Sequence, residues 1–313
     1  MRRFAVCDTL KEKHTGGFIA NFYANLHTHS THSDGQFTPK ELARVAKNEG
    51  YRALALTDHD TVTGYGELKV ECDKLGLECI FGAEFTAPSS LLARPGKSDG
   101  QFHLTAYHFD PEYPAMKEYL AGMSLREADQ TRVLFERGLR LGKLHDITWE
   151  DVLEYNEGIT WLCNEHVFRA LMAKGLAVPE DHPAFFRELF GVHRGEVPPC
   201  YPFLRAEDMI KLVHDAGGIV FVAHPHNQLH LIDDLMAIGI DGMEVWHPDL
   251  TAGEQEEAYR IALEKKLYIS GGTDHSGLCD NAGTVGDRHY IPPLSAGTTY
   301  DHFVEIRDRK ISR

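Results

Sequence analysis

Hydrophobic and polar positions follow two rhythms along this chain. Short apolar runs recur at residues 22–28, 53–57, 78–84, 102–109, 218–223, 242–246 and 267–270, each of a length suited to a buried strand. Between them lie stretches with helical periodicity at residues 66–74, 206–216 and 253–266. A further helix opens at Thr38-Pro39, where threonine can cap the first turn and proline fits the first helical position. Alternating strands and helices predict parallel βαβ units and the α/β class.

Between about residues 121 and 203 the rhythm becomes purely helical, with an amphipathic stretch at 128–141 and further pieces at 149–155 and 166–174. No low-complexity linker or internal repeat interrupts it. The reading is a helical insertion (121–203) packed at the mouth of a barrel formed by 1–120 and 204–313, where it helps build the substrate pocket.

Composition narrows the function. The 313 residues suffice for one large domain. The formal charge of −15 argues against tracking long nucleic acid through its phosphates. A small substrate is expected instead, and a phosphorylated one remains open because bound cations add local positive charge that a residue count misses. Cys7, Cys72, Cys79, Cys163, Cys200 and Cys279 form no CxxC pair, which points away from a zinc ribbon or disulfide scaffold. No apolar run spans a bilayer and the polar start Met-Arg-Arg-Phe lacks a secretory pattern, so no membrane partner is expected and the cytoplasm is the default.

Nearly every expected strand ends in a potential metal ligand. His27 and His29 alternate and so share a strand face. Asp34, Asp58-His59-Asp60, Glu84, His103, His224, Glu244, His247 and Asp274-His275 follow at later strand ends, and in an α/β barrel such ends converge. Imidazole and carboxylate without thiolate suit manganese, iron or zinc. The donors outnumber the four that a single tetrahedral ion takes, so more than one ion is implied, and Glu84 is the best placed bridge. Multi-metal sites of this composition commonly hydrolyse phosphoesters.

Taken in order, His27-Thr-His29, Ser33-Asp34-Gly35, Thr57-Asp-His59-Asp, Glu84, His103, Ala223-His224-Pro225 and Thr273-Asp274 resemble the polymerase and histidinol phosphatase (PHP) family of metal-dependent phosphoesterases. The resemblance implies a distorted (β/α)7 TIM-like barrel with two or three divalent ions. One would be held by His27, His29, Glu84 and Asp274, a second by Glu84, His103 and His224, and a third by Asp34 and His59. A metal-activated hydroxide would attack phosphorus in a small phosphorylated substrate, either a nucleotide or a sugar phosphate. A cyclic diester could be opened first and the monoester cleaved next.

Two departures from the family pattern bear on detail. Where the family's last motif usually reads Ser-Asp-x-His-Gly, Asp274 is followed at once by His275, and Ser276 holds the position of the expected histidine. His275 is therefore a candidate ligand. Relatives acting on nucleoside phosphates often carry Arg-x-His in the helical segment, whereas this chain has Asn164-Glu165-His166. His166 with Arg126, Arg132 and Arg169 are the candidate substrate contacts, and His226, His247 and Asp58 the candidate catalytic groups. Histidinol-phosphate phosphatase, a short-oligonucleotide 5'-3' exonuclease and a non-catalytic metal-stabilised binding module are the alternatives; oligomeric state is left open.

Overall fold

The computed structural model describes residues 21–93, 100–191, 197–274 and 294–311. Strand β1 (Phe22–Asn25) leads to helix α1 (Pro39–Glu49), then β2 (Ala53–Leu56), α2 (Tyr65–Leu75), the long β3 (Glu78–Ser89) and β4 (Gly100–Tyr107). Helices α3 (Pro114–Arg140), α4 (Trp149–Tyr155), α5 (Asn164–Ala173) and α6 (His182–Phe185) follow, with a π-helical turn at Phe186–Gly191. Then come α7 (Ala206–Asp215), β5 (Ile219–Val222), α8 (Ile232–Ala237), β6 (Gly242–Trp246), α9 (Ala252–Lys265), β7 (Tyr268–Gly271), β8 (Thr298–Thr299) and α10 (Tyr300–Asp308). The start of α1 matches its sequence signals. The Thr38 side chain accepts from the Glu41 amide, Glu41 answers to the Thr38 amide, and Gly50 closes the helix in the left-handed conformation.

The eight strands form one nearly closed TIM-like barrel in the order β7-β6-β5-β4-β3-β2-β1-β8. It draws shut where the Leu26 amide donates to the Gly271 carbonyl at 3.3 Å and where Thr298 Oγ1 exchanges hydrogen bonds with Gly271. β1–β2, β2–β3, β5–β6 and β6–β7 are parallel, as the alternation predicts. β4 runs antiparallel to both β3 and β5, which corrects the expectation of parallel units throughout. The reason lies in the connections. Only residues 90–99 separate β3 from β4, too few for a crossover helix, so β3 bends: Glu78–Phe81 pairs with β2 and Gly82–Ser89 pairs with β4.

The helices between β4 and β5 carry a core of their own, built from Leu134, Phe135, Val152, Val167, Phe168 and Phe190 among others. Its boundary with the barrel falls inside one continuous helix. In the first half of α3, Met116, Tyr119 and Met123 pack into the barrel core, while Leu134 and Phe135 belong to the helical core. A division at residue 121 would therefore cut α3 rather than a linker. Among the described residues, no helix is long and apolar enough to cross a membrane.

Candidate metal centre

The strand ends bring eight of the sequence's candidate positions toward one point. His27 and His29 leave the end of β1, His59 follows β2, Glu84 sits within β3 where its backbone bridges to His59, and His103 lies on β4. His224, His247 and Asp274 follow β5, β6 and β7. Two of these turn sharply: His224 has φ 28° and Asp274 φ 49°, left-handed conformations that cost non-glycine residues of order 1–3 kcal/mol and gather at functional sites. Close backbone approach completes the packing. A Cβ on Gly272 would collide with the His27 backbone, and one on Gly35 with the His29 carbonyl.

Glu84 is the centre of the arrangement. Its Oε2 faces His27 Nε2 at 3.2 Å, His29 Nε2 at 3.3 Å and His59 Nδ1 at 3.1 Å. Its Oε1 faces His103 Nδ1 at 3.0 Å and His224 Nε2 at 3.3 Å. The two carboxylate oxygens thus serve two different groups of imidazoles. Asp274 Oδ1 lies 3.5 Å from His27 Nε2 and 3.0 Å from His29 Nε2, while Asp34 approaches His29 at 3.5 Å and His59 at 3.7 Å.

Among the described residues, four groups of donor atoms within 4.8 Å of one another result: His27, His29, Glu84 and Asp274; His59, Glu84 and His103; His29, Asp34 and His59; and His27, Glu244 and His247. Donors around a tetrahedral ion with bonds of about 2.1 Å stand ~3.4 Å apart, close to the spacings in the first group. His27 Nε2, both nitrogens of His29, His59 Nδ1 and Glu84 Oε2 are buried without a hydrogen-bond partner. Buried polar atoms are ordinarily satisfied, and cations held by these donors would satisfy them. The residues therefore fit divalent ions.

Charge points the same way. Burial disfavours a charged Glu84, yet His27, His59 and His103 outweigh it and hold its carboxyl well below the usual range. Burial likewise opposes a charged Asp274, and His27, His247 and His29 overcome it. The imidazole of His27 is pushed down by burial but raised further by Glu244, Glu84 and Asp274, ending well above its ordinary value. Without cations the cluster needs protons as counter-charge, and metal binding would displace them.

Surrounding groups fix the tautomers. Both oxygens of buried Glu244 lie 3.0 Å from His27 Nδ1, and its Oε2 also accepts from the His224 amide at 2.8 Å. A proton on Nδ1 leaves His27 Nε2 free to ligate. Sequence reasoning placed Glu244 among the strand-end candidates without a role; its role depends on a partner 217 positions away. His247 has the opposite arrangement. Its Nδ1 accepts from the Asp249 amide at 3.1 Å, so the proton sits on Nε2, 3.6 Å from Asp274 Oδ2. His247 Nε2 is buried without a hydrogen-bond partner and groups with His27 and Glu244; we propose that its proton faces Asp274 and orients it. We expect His247→Asn to keep full loading at saturating metal while lowering affinity on the order of 10–100-fold. A manganese titration checks this, and an ion missing at saturation would make His247 a ligand.

The remaining candidates lie elsewhere. Asp58 is buried beside the centre, where it accepts from the Ser30 amide, Ser30 Oγ and Ser33 Oγ at 2.6–2.7 Å. His226 is half-exposed, with Glu254 and Asn227 on its ring nitrogens. Arg132 pairs with Glu136 on the exposed face of α3. Arg126 donates to the Tyr201 carbonyl and lies over the Phe203 ring. His166 and Arg169 are buried against backbone carbonyls of the 31–35 loop. His275 and Ser276 lie outside the described residues. Two features were not anticipated. Trp161 stacks on His59 with centroids 6.1 Å apart, and burial beside Glu127 and Glu84 pushes the Asp60 carboxyl up to about 8.

Comparison with known proteins gives consistent results. Residues 25–189 match the PHP domain family model. A phosphoribosyl 1,2-cyclic phosphate 1,2-diphosphodiesterase of Eggerthella lenta is 27% identical, the alignment covering 84% of this chain and 98% of that protein. A 5'-3' exoribonuclease of Haemophilus influenzae is 31% identical over 82% of this chain and 90% of the relative. In three dimensions, the crystal structure of a candidate metal-dependent phosphoesterase from Bifidobacterium adolescentis superposes with a TM-score of 0.73. It shares 26% identity and covers 93% of this chain and 98% of its own.

Proposed function

The chain belongs to the PHP domain family and is a metal-dependent phosphoric ester hydrolase; from that premise we propose that it acts on a small phosphorylated metabolite, a nucleotide or sugar phosphate, at two or three divalent ions. Manganese, iron and zinc are the candidates, on the mixture of imidazole and carboxylate donors. The observation that carries this reading is the divided carboxylate of Glu84, with His27, His29 and His59 on one oxygen and His103 and His224 on the other. Such a carboxylate is suited to bridge two cations.

When bound, the cations supply an activated water and neutralise charge on the phosphoryl oxygens. The protein's own residues set the geometry. His27, His29 and Glu84 are fully buried and would hold a deep ion, whereas the side chains of His103 and His224 are 33% and 21% exposed and face the mouth. A phosphoryl group therefore approaches from the side of His103 and His224. Trp161, stacked on His59, borders the same region with an apolar face.

We further propose a two-stage reaction. Water opens a cyclic phosphodiester by breaking one ring P–O bond, and a second water then releases inorganic phosphate from the monoester. The name of the Eggerthella lenta relative supports the first stage. The Haemophilus influenzae relative keeps a short 5'-phosphorylated RNA in view as the second reading, with the acidic composition weighing against it.

A panel of a five-membered cyclic sugar phosphate, phosphomonoesters and a 5'-phosphorylated RNA trimer, assayed with manganese, separates the readings. The expected result is turnover of the cyclic ester to free phosphate. It should be abolished by chelator and restored by added manganese. Turnover of the RNA alone would transfer the assignment to the exonuclease reading.

A further inference from the structure

The loop from Ser30 to Gly35 carries Asp34, and it is held from two directions. On the barrel side, Asp58 takes the Ser30 amide and the Ser30 and Ser33 hydroxyls. On the other side stands the N-terminal half of α5. His166 Nε2 donates to the Thr31 carbonyl at 3.0 Å. Cys163 Sγ approaches the Ser33 carbonyl at 3.8 Å. Arg169 Nη2 donates to the Asp34 carbonyl at 3.1 Å and also to the Gly35 carbonyl. These contacts join positions about 130 residues apart and tie three successive parts of the loop to one helix.

Both side chains are buried, and Arg169 meets the loop through Nη2 while its Nε and Nη1 have no hydrogen-bond partner. His166 has no exposed surface and both ring nitrogens are engaged, since Nδ1 accepts from the Cys163 amide at 2.9 Å. Arg169 is 6% exposed. Its charge is faced by the partly exposed Glu165, whose carboxyl is held down to about 2 because His182, Cys163 and Arg169 outweigh the effect of burial. A charged guanidinium fixed under two consecutive loop carbonyls has a narrow range of positions. So, then, does the Asp34 carboxylate above it.

We propose that Arg169 and His166 are positioning residues for a third cation held by Asp34 and His59, so that the helical segment forms part of the metal centre. This rests on the proposed metal site and goes beyond it, because it makes occupancy of one particular ion depend on a helix that supplies no ligand. The arrangement couples the helices to the metals: any movement of α5 shifts the carbonyls of Thr31, Asp34 and Gly35 and with them the Asp34 side chain. The deep ion on His27, His29, Glu84 and Asp274 is reached from α5 less directly, through Gly35 packed on the His29 carbonyl.

The test is a manganese(II) titration of the metal-free full chain, read by electron paramagnetic resonance of free ion, with Asp34→Asn marking which equivalent depends on Asp34. Arg169→Met should weaken that same equivalent on the order of 10–100-fold, leave the others at wild-type affinity, and be largely restored by Arg169→Lys, whose ammonium can reach the same carbonyls. Unchanged binding in Arg169→Met, or parallel loss of all equivalents, overturns the proposal. A wild-type protein that binds two ions and no third also overturns it while leaving the phosphoesterase reading intact; a wild type that binds none defeats that reading itself. Hydrogen exchange on the metal-free wild type decides the matter if Arg169→Met does not fold. Amides 31–35 opening together with α5 supports the link, and a loop that exchanges freely beside a protected α5 breaks it.

Discussion

Glu84→Ala should reduce kcat by about 10³-fold or more and lower the metal content of the same preparation. Glu84 offers one oxygen to His27, His29 and His59 and the other to His103 and His224, so its removal takes a ligand from two cations at once. Lewis-acid stabilisation by bound ions is worth several kcal/mol, and each 1.36 kcal/mol is a factor of about ten in rate. Glu84→Gln separates charge from shape: it keeps the volume but offers one oxygen, so it should retain at most one of the two shared ions. Elemental analysis beside steady-state kinetics on the same sample reads both effects. Full activity at an unchanged metal-to-protein ratio would contradict the assignment.

The second large effect is on stability. Asp58 is 1% exposed and accepts three hydrogen bonds from Ser30 and Ser33. In Asp58→Ala the Ser30 amide and two hydroxyls lose their acceptor in a buried setting, each at a cost of about 1–3 kcal/mol. Destabilisation of ~3 kcal/mol or more is expected, and a fall in Tm of roughly 5 °C or more follows for a chain of this size. Because the same loop carries Asp34, metal content should fall as well. Thermal denaturation of the metal-free protein isolates the structural part. A Tm unchanged there would mean that the three donors find water instead.

Much of this site is legible in the sequence because it lies where the strand rhythm stops. An apolar run that closes just before His27, His29, His59 or Asp274 places the side chain near a barrel end, whereas Glu84 lies inside β3, which runs on to Ser89. Strand direction is less legible, since apolar runs look alike in parallel and antiparallel pairs. The signal available for β4 was the short 90–99 connection, which leaves no room for a helix. The α3 boundary is hidden for a related reason. One helix changes its partner from barrel core to helical core partway along, and its apolar periodicity continues through the change.

Roles that depend on long-range partners could not be read locally. His247 looks like any strand-end histidine until the Asp249 amide on its Nδ1 assigns the proton to Nε2. Arg169 carries the charge expected of a phosphate contact, and only the fold shows it beneath the Asp34 and Gly35 carbonyls. Glu244 is named by its position but given a role only by His27 Nδ1, 217 residues earlier. Arg132 reads as a possible anion contact in sequence, while on the exposed face of α3 it has Glu136 one turn away.

Whether Glu84 joins two cations is read from anomalous diffraction by crystals of the manganese-loaded protein. At least two anomalous peaks are expected, with Glu84 Oε2 toward the ion shared with His27, His29 and Asp274 and Oε1 toward the ion beside His103 and His224. A single peak, or two peaks with both Glu84 oxygens on the same ion, would contradict the bridge.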